Sequence, residues 1–232
     1  MKILAVDTSS MVASASITDD NKLVCEITLN NKLTHSQTIM PIIDRVFKMS
    51  ELTPCDIDLY AVSNGPGSFT GLRIGVTTVK GLAHAAGKPV VGVNTLEAMT
   101  YNVPFCPHII SPIMDARRGE VYNALYMFEN GVLKEIEPPR AIALDDCIDE
   151  LLKKGLKTVF LGDGMPIFKE RLEKSMGELA AFVPQNLNQQ HAAAVAEAAK
   201  NKSPINYGKL VPVYLRKSQA EREREERGIK QC

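Results

Sequence analysis

Three places in this 232-residue chain bring together residue types that do chemistry. Asp7-Thr8-Ser9-Ser10 sets a carboxylate and three hydroxyls at the end of an apolar run. Asn64-Gly65-Pro66-Gly67-Ser68-Phe69-Thr70-Gly71-Leu72-Arg73-Ile74-Gly75 is rich in glycine and separates an apolar run from a helical pattern. Asp115 stands just before Arg117, Arg118 and Glu120. A strand, a glycine-rich turn and a helix start can place backbone N–H groups and the positive end of a helix dipole against an anion. The hydroxyls and amides after Asp7 can meet a phosphate in the same way. Asp7 can equally cap a turn after the first strand, and Asp115 can pair with its basic neighbours to hold a hairpin.

The glycine run admits two readings. It is not a Walker loop, because no Gly-Lys-Ser/Thr follows, and its intervals do not fit a dinucleotide fingerprint. On the helix it opens, Gly71 and Gly75 are four residues apart and share a face from which nothing projects. Each costs about 1 kcal/mol of helix stability relative to alanine, a cost that close backbone approach offsets. The approaching backbone can belong to this chain's own sheet or to a partner.

Other chemistries find little support. His35, His84, His108 and His191 show no paired spacing, and neither HExxH nor GxSxG occurs. The cysteines at 25, 55, 106, 147 and 232 form no CxxC pair, and their odd number and scatter fit a reducing cytosol. With 27 basic and 27 acidic side chains the net charge is zero, so an independent grip on tRNA or DNA is not expected. The opening apolar stretch is too short for a signal peptide and no run approaches the length of a membrane span. The expected location is the cytoplasm.

Periodicity supplies the elements that must position these residues. Residues 2–6, 12–18 and 22–29 predict a three-stranded antiparallel meander. Ile39, Ile42, Ile43, Val46 and Phe47 form the stripe of a helix over about 36–48, which either begins just before Pro41 or kinks there. Strand 58–63, a helix over 69–86 and strand 90–93 complete a βββαβαβ unit. Residues 102–107 carry two prolines and read as a junction. The pattern then restarts, with strands at 109–114, 120–128 and 132–137, helix 144–154, strand 158–161, helix 166–176, strand 180–183 and helix 190–200. Expected boundaries are a first lobe over 1–101, a second over 102–217 and a charged tail over 218–232, in which Glu223 and Arg227 can pair on a helix turn.

Two such lobes, each with an aspartate after its first strand, resemble the actin-like ATPase fold (ASKHA, RNase H-like), an α/β class. The order of Val6-Asp7-Thr8-Ser9-Ser10, the run from Asn64 to Gly75, Asp115-Ala116-Arg117-Arg118-Gly119-Glu120-Val121-Tyr122 and Pro212-Val213-Tyr214-Leu215-Arg216 resembles that of the TsaB (YeaZ) family. The resemblance implies a non-catalytic partner in bacterial synthesis of N6-threonylcarbamoyladenosine on tRNA. It also implies a catalytic paralogue, the transferase TsaD, which carries the M22 glycoprotease label. In that paralogue a His-x-x-x-His pair after the fourth strand holds a metal; Thr95 and Met99 stand there in this chain. A hydroxyl and a thioether replace two nitrogen ligands poorly, so no metal site is expected.

The resemblance further implies that helices 36–48 and 69–86 pack against their counterparts in TsaD, or in a second copy of this chain. The implied contacts are Ile39, Ile43, Thr70, Gly71, Leu72, Arg73, Gly75, Val76, Thr77 and Lys80. On that basis Gly75→Leu is expected to abolish pairing and leave a folded monomer. The ATPase TsaE is an implied partner, with tRNA reached only through the complex. No cofactor is required, although ATP or ADP can sit at a partner boundary. A vestigial nucleotide site would use Asp7, Thr8, Ser9, Ser10 and Asp115, with Gly162 and Gly164 in the adenosine loop. The alternative is an ATPase or kinase-like enzyme acting through Asp7 and Asp115, and a third reading is an M22-type metallopeptidase.

Overall fold

The computed structural model describes residues 1–216; the expected Glu223–Arg227 pair lies outside the described residues. In the first lobe β1 (Lys2–Asp7), β2 (Ala13–Asp19), β3 (Lys22–Leu29), β4 (Leu59–Gly65) and β5 (Val90–Asn94) form one sheet in the order β3-β2-β1-β4-β5. The meander is antiparallel, whereas β4 runs parallel to β1 and β5 parallel to β4. Alternation along β1 sends Leu4 and Val6 to one face and Ile3 and Ala5 to the other. On the first face lie α1 (His35–Ser50) and α2 (Phe69–Ala86).

The second lobe repeats the plan. Its strands β6 (Ile109–Arg117), β7 (Glu120–Glu129), β8 (Val132–Ala143), β9 (Thr158–Leu161) and β10 (Ala180–Phe182) lie in the order β10-β9-β6-β7-β8. Counted from its own first strand, this is again third-second-first-fourth-fifth. The helices α4 (Leu144–Lys154) and α5 (Met165–Met176) cover one face of the sheet. Two lobes with this shared order make the actin-like fold, an α/β architecture.

Helix α1 starts at His35, ahead of Pro41, after a Thr34 cap whose N–H donates to Gln37 Oε1 at 3.1 Å, and runs through the proline. Two features depart from the sequence expectation. A short helix, α3 (Thr95–Thr100), follows β5 directly. Asn94 Oδ1 caps it by accepting from the amides of Leu96 and Glu97 at 2.9 and 3.3 Å. Finally, α6 (Ala192–Ala199) does not complete the second lobe. Ala192, Val195, Ala196, Ala198 and Ala199 lie flat on Ile3, Ala5, Leu59, Ala61, Val91 and Val93 of the first sheet. Helix α3 sends Leu96 and Met99 the other way, into Ile110, Met114, Ala124 and Leu161 of the second lobe. The two lobes are therefore joined through α3 and α6, which contact each other.

Candidate functional site: the cleft between the lobes

A cleft of about 820 Å³ separates the lobes. It is bounded by the start of α2 with its glycine loop, the segment from Lys32 to Ser36, the end of β6, and residues 213–216. The sequence-predicted residues meet here, but most are already engaged with one another.

Asp7 is 1% exposed and does not line the cleft. Its carboxylate accepts from the Ser9 amide at 2.8 Å, the Ser9 hydroxyl at 2.7 Å and the Ser63 hydroxyl. Burial raises its pKa above the ordinary carboxylate value, more than these donors lower it. The remaining hydroxyls are occupied too. Thr8 Oγ1 donates to the Gly71 carbonyl at 2.8 Å, and Ser10 Oγ donates to Gln190 Oε1 at 2.7 Å. The Asp7–Ser10 run therefore knits β1 to α2 and to the approach to α6, which is the turn-capping reading rather than the phosphate one.

The glycines resolve in the same direction. A Cβ on Gly71 would stand 2.1 Å from the Thr8 carbonyl oxygen, and one on Gly75 2.4 Å from Thr8 Oγ1. The bare face of α2 thus lies against Thr8, just past the chain's own first strand, and the expected intersubunit role of Gly71 and Gly75 is corrected. Ile39, Ile43 and Val76 are likewise sealed in the first lobe's core, and Leu72 is fully buried. The apolar stripe and the glycines point at the same sheet, so neither is left for a partner. Of the expected contacts, Thr70, Arg73 and Thr77 are exposed and Lys80 is half-buried.

On the second lobe Asp115 accepts from the Arg117 amide at 2.8 Å and pairs with its guanidinium at 3.8 Å, holding the β6–β7 turn. Gly162 and Gly164 do not form an open adenosine loop. A Cβ on Gly162 would come within 2.4 Å of the Ile113 carbonyl oxygen, and the Gly164 amide donates to that same oxygen at 3.0 Å. The residue between them is the one that reaches the cleft. Asp163 lines it, and its Oδ1 is buried without a hydrogen-bond partner. Burial, with added repulsion from Asp115 and Asp7, pushes its pKa up to about 6. The flanking glycines after a strand were the available signal for this position.

Comparison with known proteins agrees with this architecture. The model of the family described as "TsaD: tRNA N6-adenosine threonylcarbamoyltransferase" matches residues 22–224. The Bacillus subtilis tRNA threonylcarbamoyladenosine biosynthesis protein TsaB is 33% identical over 95% of this chain and 96% of its own. The chain belongs to the TsaB family. A Brachyspira hyodysenteriae tRNA N6-adenosine threonylcarbamoyltransferase is 30% identical over 79% of this chain but only 58% of its own length. YeaZ from Pseudomonas aeruginosa shares the fold, with a TM-score of 0.73 at 22% identity over 92% of this chain and 99% of the other.

The metal that the resemblance assigns to the transferase does not fit the residues present here. Thr95 and Met99 are 0% and 1% exposed. Met99 packs among Leu96, Ile110, Met114, Ala124, Tyr126 and Leu161, and the Thr95 hydroxyl is buried without a partner. An apolar pocket with one hydroxyl and one thioether offers a hard or borderline cation no compensation for its lost water. Among the described residues, no group of three or more His, Cys, Asp or Glu side chains is placed to hold a metal ion.

Proposed function

We propose that this protein is a non-catalytic subunit of the machinery that makes N6-threonylcarbamoyladenosine on tRNA, and that it supports the transferase TsaD by docking against it. The observation that carries this reading is the combination of near full-length likeness to TsaB with the apolar filling around Met99 at the transferase's ligand positions. A chain related to the transferase and lacking its ligands contributes by binding.

Docking would use the outward faces of α1 and α2, with Thr70, Arg73, Thr77 and Lys80 on α2. Their buried faces hold the sheet, which leaves the outer ones for a partner. Activation follows from differential affinity: the protein raises activity only insofar as it binds the active shape of the transferase better than the inactive one. The role places it in the cytoplasm, with TsaE in the same assembly, tRNA reached through the complex and a homodimer formed when the transferase is absent. It needs no cofactor of its own, and ATP or ADP at the partner boundary is compatible with it.

A modification assay with each protein omitted in turn tests the proposal. Threonylcarbamoyl transfer to tRNA is expected to collapse without this chain, and this chain alone is expected to transfer nothing. Full activity in its absence, or activity from it alone, overturns the reading.

A further inference from the structure

Residues Leu210–Arg216 run from the first lobe to the second along one wall of the cleft, and their contacts change lobe partway. Leu210 is buried in the first core, and its carbonyl accepts from Lys80 Nζ at 3.1 Å. The Val211 carbonyl accepts from Asn64 Nδ2 at 3.2 Å, and the Val213 amide donates to the Asn64 carbonyl at 2.6 Å. Gly65 makes this approach possible: at a φ of +137°, a Cβ there would lie 2.1 Å from the Val213 carbonyl oxygen. Tyr214 stacks on Phe69 with ring centroids 4.7 Å apart and accepts from Arg73 Nε at 3.0 Å. The same guanidinium sits 3.8 Å over the Phe69 ring.

Arg216 then crosses to the second lobe. It donates to the Ala116 carbonyl at 2.9 Å and forms an ion pair with Glu120. Both groups flank the β6–β7 turn, where Arg117, Arg118 and Gly119 have φ values of +68°, +57° and +77°. A left-handed backbone in two arginines costs conformational energy and holds only where surrounding contacts over-determine it. The Arg216 side chain is 19% exposed, so its bonds are stronger than those of a solvated surface pair.

We propose that Leu210–Arg216 is a latch. Anchored on the glycine loop and α2, it holds the β6–β7 turn through Arg216 and so fixes the width of the cleft and the position of Asp115. Releasing Arg216 frees the turn and lets the lobes part about the α3–α6 junction. The latch also couples α2 to the cleft, because Arg73 and Lys80 hold the strap from the exposed side of that helix.

Hydrogen exchange read by mass spectrometry on the full chain tests this without any partner, so its outcome is independent of the proposed role in tRNA modification. In Arg216→Ala, amides of residues 115–121 and 64–70 are expected to exchange about tenfold faster, while those of β1 and β9 keep their protection. Glu120→Gln removes the pair from the other side and is expected to loosen the same two regions. Arg216→Lys, which keeps the charge but cannot reach both acceptors, falls between. Wild-type exchange at 115–121 in Arg216→Ala overturns the latch, as does loosening confined to residues 210–216. Should Arg216→Ala lose protection throughout, Glu120→Gln decides, because it leaves the strap's own contacts in place.

Discussion

Replacing Asp163 by asparagine is expected to stabilise the protein at neutral pH, with a magnitude that follows from its surroundings. The carboxyl lies under the cleft with one oxygen unpartnered, and burial together with the charges of Asp115 and Asp7 lifts its pKa from 3.8 to about 6. A folded-state pKa above the unfolded one means that the folded protein binds this proton more tightly. The associated stability is therefore complete below the unfolded pKa and is lost as pH rises through the folded one. A tenfold difference in proton affinity between the two states is worth about 1.4 kcal/mol, so ionised Asp163 costs about 2–3 kcal/mol at pH 7.5 relative to its neutral form. Asparagine is neutral at every pH and close to the same shape, and it removes that cost. Urea titrations of both proteins at pH 4 and 7.5 measure the effect. The variant is expected to be more stable by about 2 kcal/mol at pH 7.5 and nearly equal to wild type at pH 4, a melting shift of about 4–8 °C at the higher pH. Equal stability at both pH values would show that the carboxylate is solvated, and would refute the electrostatic account of the cleft.

Three further expectations concern packing and docking. Gly75→Leu is expected to destabilise the protein, by about 3 kcal/mol or more, because the new side chain meets Thr8 where even a Cβ has no room. A folded monomer of wild-type stability by chemical denaturation would contradict the packing of α2 against Thr8. Thr77→Arg, on the exposed face of α2, is expected to leave thermal stability within about 0.5 kcal/mol of wild type while abolishing co-purification with TsaD. Retained co-purification would exclude that face as the docking surface. Glu26→Ala is expected to cost about 1–2 kcal/mol, because Glu26 accepts from the Ala193 amide at 2.9 Å and so satisfies the first turn of α6. Its pKa is held low by the His191 ring and this amide in spite of burial, while the Glu26 carboxylate raises the pKa of His191. The pair's contribution is accordingly lost on the acid side as Glu26 protonates and on the alkaline side as His191 loses its proton. A stability profile of Glu26→Ala parallel to wild type at both ends would count against it.

The element order was legible in the sequence because each segment carries its own period. The Ile39–Phe47 stripe, the alternation along β2 and β3, and glycine or proline at the breaks are all local signals, and the repeated lobe plan follows from them. The motifs also pointed to the right family, since the run from Asn64 to Gly75 and the Pro212–Arg216 segment occur together in order. What each motif touches is a long-range fact. A bare helix face looks the same whether β1 or another molecule covers it, so only the fold placed Thr8 against Gly71 and Gly75. An aspartate after a strand reads alike as ligand or cap until Ser63, distant in the chain, is seen to donate to it. The alanine-rich α6 has small side chains that fit either sheet, and its return to the first lobe was settled by the flat space over Ile3, Ala5 and Val91. Periodicity is written residue by residue along the backbone, whereas the partner of a glycine, a buried carboxylate or a small helix exists only once distant segments have been brought together.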